Sequence, residues 1–140
     1  KHPNIVATKE AGGDLSAIAQ IKYLCGDDLD IYSGNDDQTV PILSLGGIGI
    51  ISVLSNIAPR VMHDICDLYL NGKSVEATKL QIKYIGLMNA MFCDVNPIPV
   101  KEAMNMLNMN AGPCRMPLYP MSTENKEFLK SKLIECGFKL

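Results

Sequence analysis

The chain has 140 residues, 47% of them hydrophobic and 20% charged, which is enough for one ordinary domain with a core and excludes a disordered chain. The net charge of −2 offers no basic field to a nucleic acid backbone. Five widely spaced cysteines and only two histidines show no zinc-site spacing. We therefore predict no metal and no nucleic acid partner, and we interpret the cysteines as reduced thiols of a cytoplasmic protein.

The first predicted strand, residues 4–9, leads through a lysine into the glycine pair Gly12-Gly13. Its period of two places Ile5, Ala7 and Lys9 on one face. A lysine amine attacks a carbonyl only when it is neutral, and apolar neighbours that reduce its hydration favour the neutral form. We interpret Lys9 as a nucleophile kept poorly solvated by Ile5 and Ala7. The alternative is a lysine that closes an edge strand and points to water.

A helix is predicted to follow the first strand, capped by Asp14 and ended by Gly26. Its three-residue spacing predicts an inner stripe of apolar side chains: Leu15, Ile18, Ile21 and Leu24. The second strand is predicted at residues 29–33. A turn at residues 34–37 then leads into a short helix at residues 38–45.

The third predicted strand, residues 48–54, is apolar on both faces, as in a covered parallel sheet. A third helix opens near Pro59 and closes at Asn71-Gly72. Strand and helix therefore alternate three times, and right-handed crossovers make the strands parallel. The uncharged residues 38–59 are long enough to span a membrane, but proline and glycine divide them, so we predict no membrane segment.

The pattern becomes helical after Gly72. Ser74 is predicted to cap a long helix, and two further helices are predicted near residues 100–107 and 123–136, the last capped by Ser122. We therefore predict an α/β fold in which residues 1–72 form three strand–helix units and residues 73–140 form a small α-helical domain.

Ligand sites of parallel strand–helix arrays gather at the carboxyl ends of the strands. Here those ends carry Lys9, Gly34 and Ile51. We expect Gly34 to let the main chain approach a small ketone or carboxylate, and the Ile51 backbone to bind it while the side chain excludes water. The Gly46-Gly47 pair precedes the third strand, so we interpret it as a tight turn at the opposite face.

Five segments of the chain resemble the dihydrodipicolinate synthases when they are taken together and in order. They are Val-Ala-Thr-Lys-Glu-Ala at residues 6–11, Tyr-Ser-Gly-Asn-Asp at 32–36, Gly-Ile-Ile-Ser-Val at 49–53, Asn-Pro-Ile-Pro-Val-Lys at 96–101 and Arg-Met-Pro-Leu at 115–118. The resemblance covers the whole chain. A common form of the second segment has aspartate where Asn35 stands here, which weakens a charge role for that position.

The resemblance implies a TIM (β/α)8 barrel followed by a small helical domain. Such a barrel takes about 250 residues, so this chain is interpreted as the carboxyl-terminal part, with the last three βα units and without the amino-terminal barrel half. The family residues that hold the pyruvate carboxylate, relay protons and receive the second substrate would lie upstream. A homotetramer built from two dimers is also implied.

The activity that the resemblance implies is condensation of pyruvate with L-aspartate 4-semialdehyde in lysine and diaminopimelate biosynthesis. Lys9 would be the Schiff-base lysine, Gly34 and Ile51 would line the pyruvate site, and the covalent imine would take the place of a cofactor. Two alternatives remain. One is another pyruvate-dependent aldolase, such as N-acetylneuraminate lyase or a keto-sugar-acid aldolase. The other is a non-catalytic helical interaction module.

Overall fold

The computed structural model describes residues 2–140, which form two compact units. The first unit runs up to Ser52 and adds Arg60–Gln81, and the second comprises Val53–Pro59 and Ile82–Leu140. The long helix α4, Ser74–Ala90, contributes its first half to one unit and its second half to the other.

The first unit contains the predicted parallel sheet. Its strands are β1 (Ala7–Glu10), β2 (Asp30–Ser33) and β3 (Gly49–Ile50), in the order β1-β2-β3 with both pairs parallel. The helices are α1 (Leu15–Cys25), α2 (Thr39–Ser44) and α3 (Pro59–Leu70), and a 3₁₀ turn, Asp36–Gln38, precedes α2. Buried Ile18, Ile31 and Ile42 join α1, β2 and α2 into one apolar core.

Three details of the predicted elements are wrong. The third strand ends at Ile50 rather than at residue 54, because the chain turns into a 3₁₀ segment, Leu54–Asn56. The last predicted helix but one begins at Ile98, two residues early. The predicted inner row of apolar side chains on α1 does not include its two end residues, since Leu15 is 37% and Leu24 71% exposed. Nine residues at 3.6 per turn carry those two leucines to opposite sides of the helix.

The predicted start and stop signals of α1 are confirmed. The Asp14 carboxylate accepts hydrogen bonds from the Ser16 and Ala17 amides at 2.8 and 3.2 Å, which satisfies two donors that have no partner inside the helix. Gly26 ends the helix with φ of 57°. Gly46, with φ of 89°, makes the predicted tight turn before β3.

The second unit is helical, with α5 (Ile98–Met106) packed against α6 (Thr123–Glu135) and against the 3₁₀ segment. The predicted cap of α6 is confirmed, since Ser122 Oγ accepts from the Asn125 amide at 3.2 Å. The buried side chains of this unit include Leu54, Leu87, Met88, Met91, Leu129 and Leu133. The division into barrel units and a helical domain at residue 72 stays a prediction. None of the helices within residues 2–140 combines the length and apolarity needed to cross a bilayer.

Candidate active site

The strand register brings the three predicted site residues to the same end of the sheet, where the strands have their carboxyl ends. Lys9 lies on β1, and Gly34 and Ile51 directly follow β2 and β3. The Gly34 amide donates to the Glu10 carbonyl at 2.6 Å, and the Ile51 amide donates to the Ser33 carbonyl at 2.8 Å. The sheet ladder thus continues one residue beyond β2 and β3, which fixes the backbone of Gly34 beside the end of β1 and that of Ile51 beside the end of β2.

Gly34 is required because the space next to its α-carbon is already filled. A β-carbon at this position would stand 2.7 Å from Ala11 Cβ, 2.9 Å from Lys9 Cε and 3.0 Å from the Glu10 carbonyl oxygen. All three distances are shorter than ordinary non-bonded contacts. The absent side chain therefore makes room for the stem of Lys9, a role that sequence reasoning did not assign to this glycine.

The prediction that Ile5 and Ala7 keep Lys9 poorly solvated is wrong for this chain. Ile5 is 65% exposed, and Ala7 and Lys9 are also exposed. Side chains of a strand point out of the plane of the sheet, and no described element is packed closely enough on this face of β1 to bury the row. The apolar row gives Lys9 its position at the strand end but does not desolvate it here.

Ile51 is also more open than expected. Its side chain is 49% exposed, so it does not exclude water within this chain. Its amide is committed to Ser33, so a backbone contact with a ligand would use the carbonyl oxygen. Binding of a ligand by the Ile51 backbone therefore stays a prediction, and the carbonyl oxygen is the atom that remains available for it.

The turn after β2 is held by its own side chains. Ser33 Oγ donates to the Asn35 carbonyl at 2.7 Å and accepts from the Asn35 amide at 3.2 Å. Asn35 Nδ2 donates to Gln38 Oε1 at 3.4 Å, which an aspartate at position 35 could not do. The amide side chain of Asn35 therefore has a structural use in this turn.

Two glutamines complete the support of this turn, and sequence reasoning missed both. Gln38 Nε2 donates to the Gly13 carbonyl at 3.1 Å, which links the loops that follow β1 and β2. Gln81, only 5% exposed, accepts from the Val40 amide and donates to the Asp37 carbonyl, both at 2.7 Å. No local sequence signal marks these contacts, since their partners lie 25 to 44 residues away.

The candidate site at the carboxyl ends of the strands is exposed, since Lys9 and Ile51 are both open to solvent. A depression of about 710 Å³ beside the amino-terminal side of β1 is lined by residues that include Ile5, Val6 and Leu24, but it does not include Lys9. Another, of about 370 Å³, lies in the second unit beside Lys101. Among residues 2–140, no three histidine, cysteine or acidic side chains are grouped as metal ligands. What the site offers chemically is a lysine amine beside backbone polar groups.

Comparison with known proteins identifies the lineage of this arrangement. The model of the dihydrodipicolinate synthetase family matches residues 1–135. The chain is 57% identical to 4-hydroxy-tetrahydrodipicolinate synthase 1 of Clostridium acetobutylicum over 93% of its length, and 54% identical to the synthase of Caldicellulosiruptor saccharolyticus over all of it. It spans only 44% and 47% of these two relatives, respectively.

A solved structure extends the likeness to three dimensions. The chloride-inhibited dihydrodipicolinate synthase of Acinetobacter baumannii, solved in complex with pyruvate, is 34% identical and superposes with a TM-score of 0.93. The match covers 98% of this chain and 47% of that one. Sequence and fold therefore agree over nearly the whole length, and this chain belongs to the dihydrodipicolinate synthetase family.

Proposed function

We propose that this chain is the carboxyl-terminal part of a TIM-barrel 4-hydroxy-tetrahydrodipicolinate synthase, with the last three βα units and the helical domain that follows. Three parallel strands in sequential order support this, because a barrel wall has that order. The chain also spans less than half the length of its relatives. The open edge of β1 would then pair with a barrel strand supplied from outside residues 2–140.

The observation that carries the proposal is the position of Lys9 at the carboxyl end of β1, with its stem against Gly34. Active sites of TIM barrels lie at this face. In the proposed reaction, Lys9 Nζ attacks the ketone carbon of pyruvate, the carbonyl oxygen leaves as water, and an imine forms. The imine withdraws electrons from the neighbouring methyl group, so a methyl proton can leave to give an enamine.

The enamine carbon then attacks the aldehyde of L-aspartate 4-semialdehyde and forms the new carbon–carbon bond. The amino group of the second substrate displaces Lys9 from the imine carbon during ring closure, which regenerates the free amine. The electron sink is the imine itself, so the proposed reaction requires no metal or organic cofactor. Desolvation of Lys9, which Ile5 and Ala7 do not provide, is assigned to the rest of the barrel.

Gly34 and Ile51 are proposed to line the pyruvate site. The support for Gly34 is its hydrogen bond to Glu10, the neighbour of Lys9 on β1, and the support for Ile51 is its hydrogen bond to Ser33 at the same end of the sheet. A ketoacid held there would have its carbonyl carbon near the attacking amine, and such placement lowers the entropic part of the barrier. Because the Ile51 amide is engaged with Ser33, the contact we assign is the Ile51 carbonyl oxygen, which can accept a hydrogen bond from the hydroxyl that forms when Lys9 adds to the ketone.

We also propose a cytoplasmic homotetramer, a dimer of dimers. Exposed apolar side chains support assembly, among them Tyr23 at 82% and Tyr119 at 69% exposure. Sedimentation of the full-length protein at micromolar concentration should give a species larger than the monomer. A fully active monomer would contradict the proposed assembly.

The decisive experiment traps the imine. Full-length protein is treated with borohydride in the presence of pyruvate, which should reduce the imine to a stable secondary amine, and peptide mass spectrometry should locate the adduct on Lys9. Lys9→Arg keeps the positive charge but cannot form the imine, so it should abolish both the adduct and the activity. Lys22→Arg is the matched control, because Lys22 pairs with Asp27 in a surface salt bridge. An adduct on Lys22 or Lys101, with activity surviving Lys9→Arg, would refute the assignment.

The second substrate is tested separately. The names of the two curated relatives support aspartate semialdehyde over other acceptors. Condensation of pyruvate with N-acetylmannosamine, and not with aspartate semialdehyde, would instead favour the lyase alternative. Failure of the full-length protein to form an imine with pyruvate would favour the non-catalytic module.

A further inference from the structure

We infer that Gln38 is a positioning residue for imine formation at Lys9, an inference that rests on the proposed function. The side chain of Gln38 bonds to Asn35 and Gly13 and not to the lysine itself. It acts on the two loops that flank the lysine, one after β1 and one after β2.

The first step is the contact between Lys9 and the β2 turn. Lys9 Cε occupies the space where a β-carbon of Gly34 would stand, and the Gly34 amide is tied to the Glu10 carbonyl at 2.6 Å. Ala11 Cβ also lies beside this space, 2.7 Å from the position that a β-carbon of Gly34 would take. The conformation of the lysine stem therefore depends on where the β2 turn and the loop after β1 lie.

The second step is the link between these two loops. Gln38 Nε2 donates to the carbonyl of Gly13, whose φ of 80° places it in the left-handed region. Gln38 Oε1 accepts from Asn35 Nδ2, next to Gly34. The Gln38 side chain therefore connects Asn35, next to Gly34, with Gly13, in the loop that follows Lys9.

The positioning role of Gln38 is distinct from stabilisation of the fold. The turn has a second anchor in buried Gln81, which holds the Asp37 carbonyl and the Val40 amide. Gln38 is only partly buried, and its contact with Gly13 is exposed. Loss of its side-chain hydrogen bonds should therefore leave the core intact while the loop after Lys9 becomes free to shift.

The test compares Gln38→Met with Gln20→Met in full-length protein. Methionine keeps the length of the side chain and removes both hydrogen-bonding groups. Gln20 is an exposed glutamine on α1, which makes it the control for the same chemical change. We expect Gln38→Met to lower the second-order rate of borohydride-trapped imine formation about tenfold, since small displacements of reacting groups cost up to about 10² in rate.

The accompanying readouts distinguish positioning from folding. The KM for pyruvate should rise in Gln38→Met, while the melting temperature stays within a few degrees, about 3 °C, of the wild type. A merely structural role would lower the melting temperature and leave the KM unchanged at temperatures where the variant is folded. An imine rate within about twofold of the wild type would overturn the inference.

Gln38→Glu keeps the inference falsifiable if the methionine variant folds poorly. Glutamate retains an acceptor for Asn35 but lacks the donor for the Gly13 carbonyl. A wild-type imine rate in folded Gln38→Glu would show that the link to Gly13 is unnecessary. Failure of the wild-type protein itself to form an imine would instead refute the proposed function, so the two failures are distinguishable.

Discussion

Substitution of Gly34 by alanine is the sharpest test of the site geometry. The new methyl carbon would stand 2.7 Å from Ala11 Cβ, which is about 0.8 Å inside the shortest favourable carbon–carbon separation of ~3.5 Å. It would also meet Lys9 Cε at 2.9 Å. Lys9 can yield by rotating its flexible stem, but Ala11 Cβ is fixed to the backbone. Relief of both contacts therefore requires movement of the lysine and of the loop that follows it.

The expected cost has two parts. Insertion of a methyl group into a filled site destabilises proteins by about 1–3 kcal/mol, which should appear as a lower melting temperature. Displacement of the Lys9 stem by the better part of an ångström should reduce the rate of imine formation by roughly 10- to 100-fold. Both are measured on full-length protein, by thermal unfolding and by borohydride trapping with pyruvate.

Gly12→Ala supplies the matched control for this substitution. A β-carbon at Gly12 would meet no atom within 4 Å. Gly12 lies in the same loop and outside the left-handed region, so its replacement should change neither the melting temperature nor the imine rate appreciably. Equal behaviour of Gly34→Ala and Gly12→Ala would refute the claim that Gly34 makes room for Lys9.

Three further predictions concern stability. Gln81→Leu leaves the Val40 amide of α2 and the Asp37 carbonyl without their partner, so the free energy of unfolding should fall by about 1–3 kcal/mol in denaturant titrations. Leu133→Ala removes a side chain with no exposed area and should cost about 2–5 kcal/mol, whereas Ile134→Ala, at 56% exposure, should cost far less; equal losses would contradict the assigned core. Burial raises the pKa of the Cys66 thiol above its ordinary value of 9.0. The contribution of the buried neutral thiol to stability is therefore complete below pH 9.0 and is lost as the pH rises through the raised pKa. Cys66→Ala should reduce the fall in melting temperature at alkaline pH.

The sequence by itself determined the order of the strands and helices and the caps of two helices. Asp14 and Ser122 cap their helices as predicted, because a side-chain oxygen there meets amides that have no helical partner. The alternation of strands with helices was enough to predict parallel pairing, because right-handed crossovers leave little choice. The placement of Lys9, Gly34 and Ile51 at one sheet edge followed from the same rule.

Only the tertiary structure decided what surrounds each of these residues. Solvation of Lys9 depends on which elements cover β1, and no pattern within the strand contains that information. Gln38 and Gln81 act on backbone groups 25 to 44 residues away, so their spacing carries no periodic signal. The close contact at Gly34 likewise arises from two loops that meet in space, because strand register, not sequence neighbourhood, sets Lys9 and Ala11 against that glycine.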